Sequence, residues 1–140
     1  MSSGISVRTS KRLLAWAAGL QLAQGIVMEG APLLGLLVIL VTGGDPAVMS
    51  RGFSFVVPYF DENLPLMMAL SGVFATLRVV AAIGLLRNRM SGYALSLVIG
   101  CVTLVLMVFM LPAGIADGVL SGAALMLLMR VRYGTDPIVR

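Results

Sequence analysis

Four stretches of this chain, residues 13–42, 64–86, 93–111 and 113–129, consist almost wholly of apolar side chains. A helix of about 20 such residues spans the hydrocarbon core of a bilayer, which is about 30 Å thick. Of the 140 residues, 59% are hydrophobic and 11% charged. A soluble domain of similar length carries about 25% charged residues. The chain has too little polar surface to coat itself in water, so lipid is the expected solvent for much of it. The expected fold is all-α: a single four-transmembrane-helix bundle over residues 1–140, running up-down-up-down.

The first run is the longest. Its thirty residues would reach about 45 Å as a helix, so it must tilt, kink or project. Pro32, with Gly30 before it, is the expected kink. The opening "MSSGISVRTSKR" followed by an apolar run is laid out like a secretory signal. The run is far longer than an h-region of about 7–15 residues and no A-x-A-like site closes it, so a retained first span is expected. Gly43, Gly44 and the Asp45–Pro46 pair end that span. A 21-residue loop, 43–63, then leads to the second span. "RNRMSG" makes one tight turn, and Pro112 with Gly114 marks another.

Charge placement gives an orientation. Arg8, Lys11, Arg12, Arg87, Arg89, Arg130, Arg132 and Arg140 all fall at the amino end, the second-to-third turn or the carboxyl end. Four spans put those regions on one side. The other side holds Arg51, with Asp45, Asp61 and Glu62. The positive-inside rule then places both termini in the cytoplasm. The net charge of +4 is accounted for by these clusters. There is no basic stripe with interleaved aromatics, so no nucleic-acid partner is expected.

Phe53, Phe55, Tyr59 and Phe60 gather in the long loop. Aromatic rings favour the headgroup level, so an interfacial or re-entrant loop is the simpler reading and a lid or docking surface the alternative. Small residues recur every fourth position in the last two spans: Gly92, Ser96 and Gly100 in the third, Gly114, Gly118 and Gly122 in the fourth. Such strips let backbones approach closely in lipid, where packing and buried polar contacts hold helices together. The strips are expected to serve packing within the chain or, alternatively, a seam between copies. The ten methionines, among them Met67, Met68, Met107, Met110, Met126 and Met129, are scattered as gap fillers.

The polar residues inside the spans are the candidate site. Gln21, Gly25 and Glu29 are spaced i, i+4, i+8 in the first span, with Gln24 beside them. An ionised carboxylate at the bilayer centre costs about 2.5–3.5 kcal/mol on insertion scales, so this face is expected to look inward. Arg78 is the one charge in the second span, and Asp117 lies near the outer mouth of the fourth. Counted from the cytoplasmic end, Arg78 and Gln21 lie at nearly the same depth, and Glu29 about 12 Å further out. A relay from Arg78 through Gln24 to Glu29 fits those depths better than direct pairing. Mutual neutralisation inside the bundle and a polar path for a charged group are both open readings.

Four short helices with a lone glutamate in the first are similar to the small multidrug-resistance antiporters. That resemblance would make Glu29 an exchanger of protons for cationic substrates, but the strong charge bias and Arg78 depart from it. The stretch "LRVVAAIGLLRNRMSGYALSLVIG", with Arg130, Arg132 and Tyr133 closing the last helix, resembles the helix–basic turn–helix core of small uncharacterised four-helix bacterial membrane proteins. It implies that bundle in the bacterial cytoplasmic membrane, and no activity.

Chemistry is sparse. The chain has no histidine and one cysteine, Cys101, in mid-span, where it is expected to be a small buried hydrophobe. No phosphate-binding glycine loop, zinc-helix motif or nucleophile elbow occurs. Asp61 and Glu62, adjacent at the outer edge, are expected to cap the second span rather than act as an acid–base pair. The expectation is therefore a non-enzymatic membrane protein without catalytic residues, metal or cofactor. Its partners would be the lipid bilayer and another membrane protein or a second copy, in a scaffolding or accessory role. A small transporter or channel is the alternative.

Overall fold

The computed structural model describes residues 3–45, 57–112 and 114–133. The chain forms α1 (Ser3–Ala23), a π turn (Gln24–Glu29), α2 (Gly30–Thr42), the short α3 (Pro58–Glu62), α4 (Leu64–Leu86), α5 (Met90–Phe109) and α6 (Gly114–Tyr133). Four helical stretches are long and apolar enough to cross a membrane: Ser10–Thr42, Leu64–Leu86, Met90–Phe109 and Gly114–Tyr133. The fold is an all-α four-helix bundle, and no strand occurs among the described residues.

The helix ends follow from local chemistry. Gly43, at φ 69°, closes α2 in the left-handed conformation that favours glycine, and its N–H donates to the Ile39 carbonyl. Between α4 and α5, Asn88 takes φ 54°, a conformation asparagine tolerates better than most residues. The Arg89 N–H returns to the Gly84 carbonyl across that turn at 2.9 Å. Asp61 and Glu62, expected at the amino end of the second span, fall one element earlier. They belong to α3, and the residue before α4 is Asn63. The Asn63 side-chain amide donates back to the Tyr59 carbonyl at 2.9 Å, so its amide tethers α3. Phe53, Phe55 and Arg51 lie outside the described residues.

The first span departs from the simple proline kink. The helix runs through Pro32, and the irregularity lies one turn earlier, in the π turn, where the Gly30 N–H donates to the Gly25 carbonyl five residues back. A proline ring crowds the carbonyl four residues before it. A turn closed over five residues widens the helix just ahead of that clash.

The spans form a closed ring. α1 packs on α4 and α6, and α5 packs on both α4 and α6. Beyond the π turn the first span changes neighbours: α2 packs extensively on α4 and has no comparable contact with α5 or α6. The bundle is thus tightest at the end bearing the chain termini. There Leu14, Ala17, Ala18, Ala82, Leu85, Tyr93, Leu128 and Val131 form an apolar cluster. At the far end a smaller cluster joins Leu36, Leu64 and Met68. Trp16, Ile26, Val27, Leu37, Val98, Val105, Val119 and Met126 face outward. Apolar side chains exposed on every span are what lipid-facing helices require.

The glycine strips find different partners from one another. A Cβ on Gly84 would stand 2.6 Å from the Gly92 Cα, so α4 and α5 cross backbone to backbone beside their connecting turn. Gly92 therefore packs against α4. Gly100 packs against the Leu125 side chain of α6, and Gly114 and Gly118 pack against Met107 of α5. Gly122 has no neighbour within 4 Å of where a Cβ would stand. The two strips do not meet each other.

Candidate functional site

Between the two apolar clusters lies a layer of buried polar groups: Gln21, Gln24, Glu29, Arg78, Ser96, Thr103 and Ser121. Arg78 is its centre and has no exposed surface. Its Nε–H donates to Glu29 Oε1 at 2.5 Å, forming a salt bridge. One terminal nitrogen donates to Gln21 Oε1 at 3.0 Å. The other donates to Thr103 Oγ1 at 2.5 Å and Ser121 Oγ at 3.3 Å. The guanidinium of α4 thus draws acceptors from α1, the π turn, α5 and α6. Its planar fork of five N–H donors suits such sharing, which an ammonium would not reproduce.

The direct Arg78–Glu29 pair corrects the expected relay through Gln24. The reason is helical geometry. Eight residues of straight α-helix turn about 800°, which would leave Glu29 about 80° around the helix from Gln21. A turn closed over five residues rotates less per residue. The π turn therefore brings Glu29 back toward the line of Gln21, and one guanidinium reaches both. Gly25 makes the approach possible: a Cβ there would stand 3.1 Å from the Arg78 Cβ and 3.4 Å from the Ala75 carbonyl oxygen.

Gln24 ties the π turn to α6 instead. Its Nε2 donates to the Asp117 carbonyl at 2.9 Å, to Asp117 Oδ1, and to Ser121 Oγ at 2.8 Å. Ser121 Oγ is thereby shared between Arg78 and Gln24, which joins every group of the layer except Ser96 into one network. Four atoms in this layer are buried without a hydrogen-bond partner: Gln21 Nε2, Gln24 Oε1, Glu29 Oε2 and Ser96 Oγ. Asp117 is half-buried, in the first turn of α6.

The structure thus brings Gln21, Gln24, Glu29, Arg78 and Asp117 into one region. Two contributors, Thr103 and Ser121, escape a search for charges and amides. Their signal was spacing: Thr103 lies seven residues after Ser96, and Ser121 three after Gly118, each on the inward face of its helix. Ser96, in this layer, and Gly100 beside it are buried, whereas Gly122 is only partly covered. Cys101 is exposed on the outer surface, not buried as its mid-span place implied. Comparison with protein families, characterised proteins and solved structures finds no match for this chain.

Proposed function

We propose that this chain is a non-enzymatic four-span membrane protein that works through packing, as an accessory or scaffolding subunit or as a homo-oligomer. The observation that supports this reading is the enclosure of Arg78. A cation that is fully buried and shared among groups from all the other spans fixes helix register. Specifying register is the best-attested use of a buried polar group. The charge bias and helix layout support a place in the bacterial cytoplasmic membrane with both termini inside. Gly19 and Gly122, open on the bundle surface, are where the helix of a partner or second copy would approach.

A second reading, a small transporter or channel, is favoured by one specific observation. Glu29 Oε2, Gln24 Oε1 and Gln21 Nε2 are buried with hydrogen-bonding capacity unused, and intramembrane ionisable residues commonly mark transport paths. Two measurements on purified protein separate the readings. Light scattering and cross-linking in detergent should reveal an assembly larger than one chain, or co-purification a stable partner. Proteoliposomes should show no ion or substrate flux above empty vesicles. Flux that disappears in Glu29→Gln would replace the first reading with the second.

A further inference from the structure

The outer face of α1 carries a groove of about 320 Å³, lined by Arg12, Ala15, Trp16 and Gly19. These residues are spaced i, i+3, i+4 and i+7, so they form one stripe along the helix. All four are exposed, whereas Leu14, Ala17 and Ala18 between them are buried in the bundle. The depression exists because Ala15 and Gly19 are small. A Cβ on Gly19 would meet nothing within 4 Å. The Trp16 side chain stands beside it, 66% exposed.

The chemistry of the stripe is graded along the helix axis. Arg12 lies nearest the amino terminus and Trp16 one turn deeper. Gly19 and Ala23 follow on the same exposed face, and Ile26 and Val27 face outward beyond them. A phospholipid presents the matching order: a charged headgroup, then the interfacial level where indole rings settle, then hydrocarbon. Among the described residues Arg12 takes part in no ion pair. The described carboxylates, Glu29, Asp45, Asp61, Glu62 and Asp117, belong to the polar layer or the far end. The Arg12 guanidinium is therefore left for an external anion, and its planar fork matches the paired oxygens of a phosphate.

A second copy of the chain fits this stripe poorly. Copies held in one orientation meet across a two-fold axis with each residue facing its own counterpart. That contact would set Arg12 against Arg12 with no carboxylate between them.

We infer that the Arg12–Gly19 groove binds a phospholipid with an anionic headgroup, its phosphate on the Arg12 guanidinium and an acyl chain lying past Trp16 along Gly19 and Ala23. The inference goes beyond the subunit reading and does not depend on it. A partner helix arriving at Gly19 would have to displace this lipid.

Trp16 is the chain's single tryptophan, so its fluorescence reads the groove directly. The full chain is reconstituted in phosphatidylcholine bilayers containing a fixed fraction of phosphatidylglycerol, with bromine on the acyl chains of one lipid or of the other. Brominated chains quench an indole that they touch. Compared molecule for molecule, brominated phosphatidylglycerol should associate with Trp16 about fivefold more strongly, the weight of one arginine at an anionic surface. Arg12→Gln should bring the two lipids to parity. Gly19→Leu keeps every charge and fills the groove, and should remove the preference as well. Lys11→Gln deletes an equal charge from the neighbouring position, off the groove, and should leave the preference in place. All three positions are exposed, so the substitutions leave the packed core untouched. Equal quenching by the two lipids in wild type overturns the site. So does a preference that survives Gly19→Leu, or one that falls as far with Lys11→Gln as with Arg12→Gln, since either shows a diffuse attraction to the basic end. A Trp16 that neither brominated lipid quenches is covered by protein, and the groove then belongs to a partner helix instead.

Discussion

Single side chains decide this bundle because lipid offers no water to an unpaired group. Arg78 spends its donors on Glu29, Gln21, Thr103 and Ser121. Breaking a buried ion pair from one side leaves the other charge stranded and costs about 3–5 kcal/mol, whereas replacing both partners by apolar residues is often neutral. Arg78→Met should therefore unfold far more readily than wild type in denaturant titration in micelles. Arg78→Met combined with Glu29→Met should regain most of the loss, and a double variant as weak as the single one would show that the pair is not what matters. Thr103→Val removes one interhelical hydroxyl and should cost about 0.6 kcal/mol, the average for such bonds in a membrane bundle. The charged residues of this site were legible as types in the sequence, since a glutamate and an arginine in apolar runs demand inward placement. Their pairing was not. Depth counted along ideal helices separated Arg78 from Glu29, because nothing in "QGIVME" announces a turn closed over five residues.

At the scale of elements, contacts depend on which glycine meets backbone and which meets a flexible side chain. Gly84 and Gly92 meet each other's main chain, so nothing there can give way except the helices themselves. Gly84→Ala or Gly92→Ala should cost about 1–3 kcal/mol, the usual range for overpacking. Gly122→Ala and Gly19→Ala, where a Cβ meets nothing within 4 Å, should stay within about 0.5 kcal/mol of wild type in a monomer. The same unfolding titration checks all four, and a larger effect at Gly122 or Gly19 would itself indicate a partner helix. The strips in the last two spans were visible as a four-residue repeat. Their partners were not, because spacing shows that a face is smooth without showing what lies against it. Gly84, on the preceding helix, belongs to no such repeat and was missed. The spans themselves were readable within a few residues, since twenty apolar residues in a row leave a backbone few alternatives in lipid.

For the whole molecule, four antiparallel spans bring the amino end, the Arg87–Arg89 turn and the carboxyl end to one side. The basic residues collect there, and the predicted topology follows from that asymmetry. A fluorescent protein fused after Arg140 should fold and fluoresce in bacteria, and alkaline phosphatase at the same place should be inactive. Active phosphatase there would reverse the orientation. The two apolar clusters sit at opposite ends with the ionic layer between them, so the costliest groups lie where water is furthest away. The order of those groups along the polypeptide bears on biogenesis. Of these four spans, the two carrying Glu29 and Arg78 leave the ribosome before the two carrying Thr103 and Ser121. Opposite charges can cancel as soon as the first hairpin enters the bilayer, so that hairpin partitions as a neutral unit. The later hairpin then brings the two hydroxyls and the Asp117 acceptors that meet Gln24, and no stage of insertion leaves the guanidinium waiting alone in hydrocarbon.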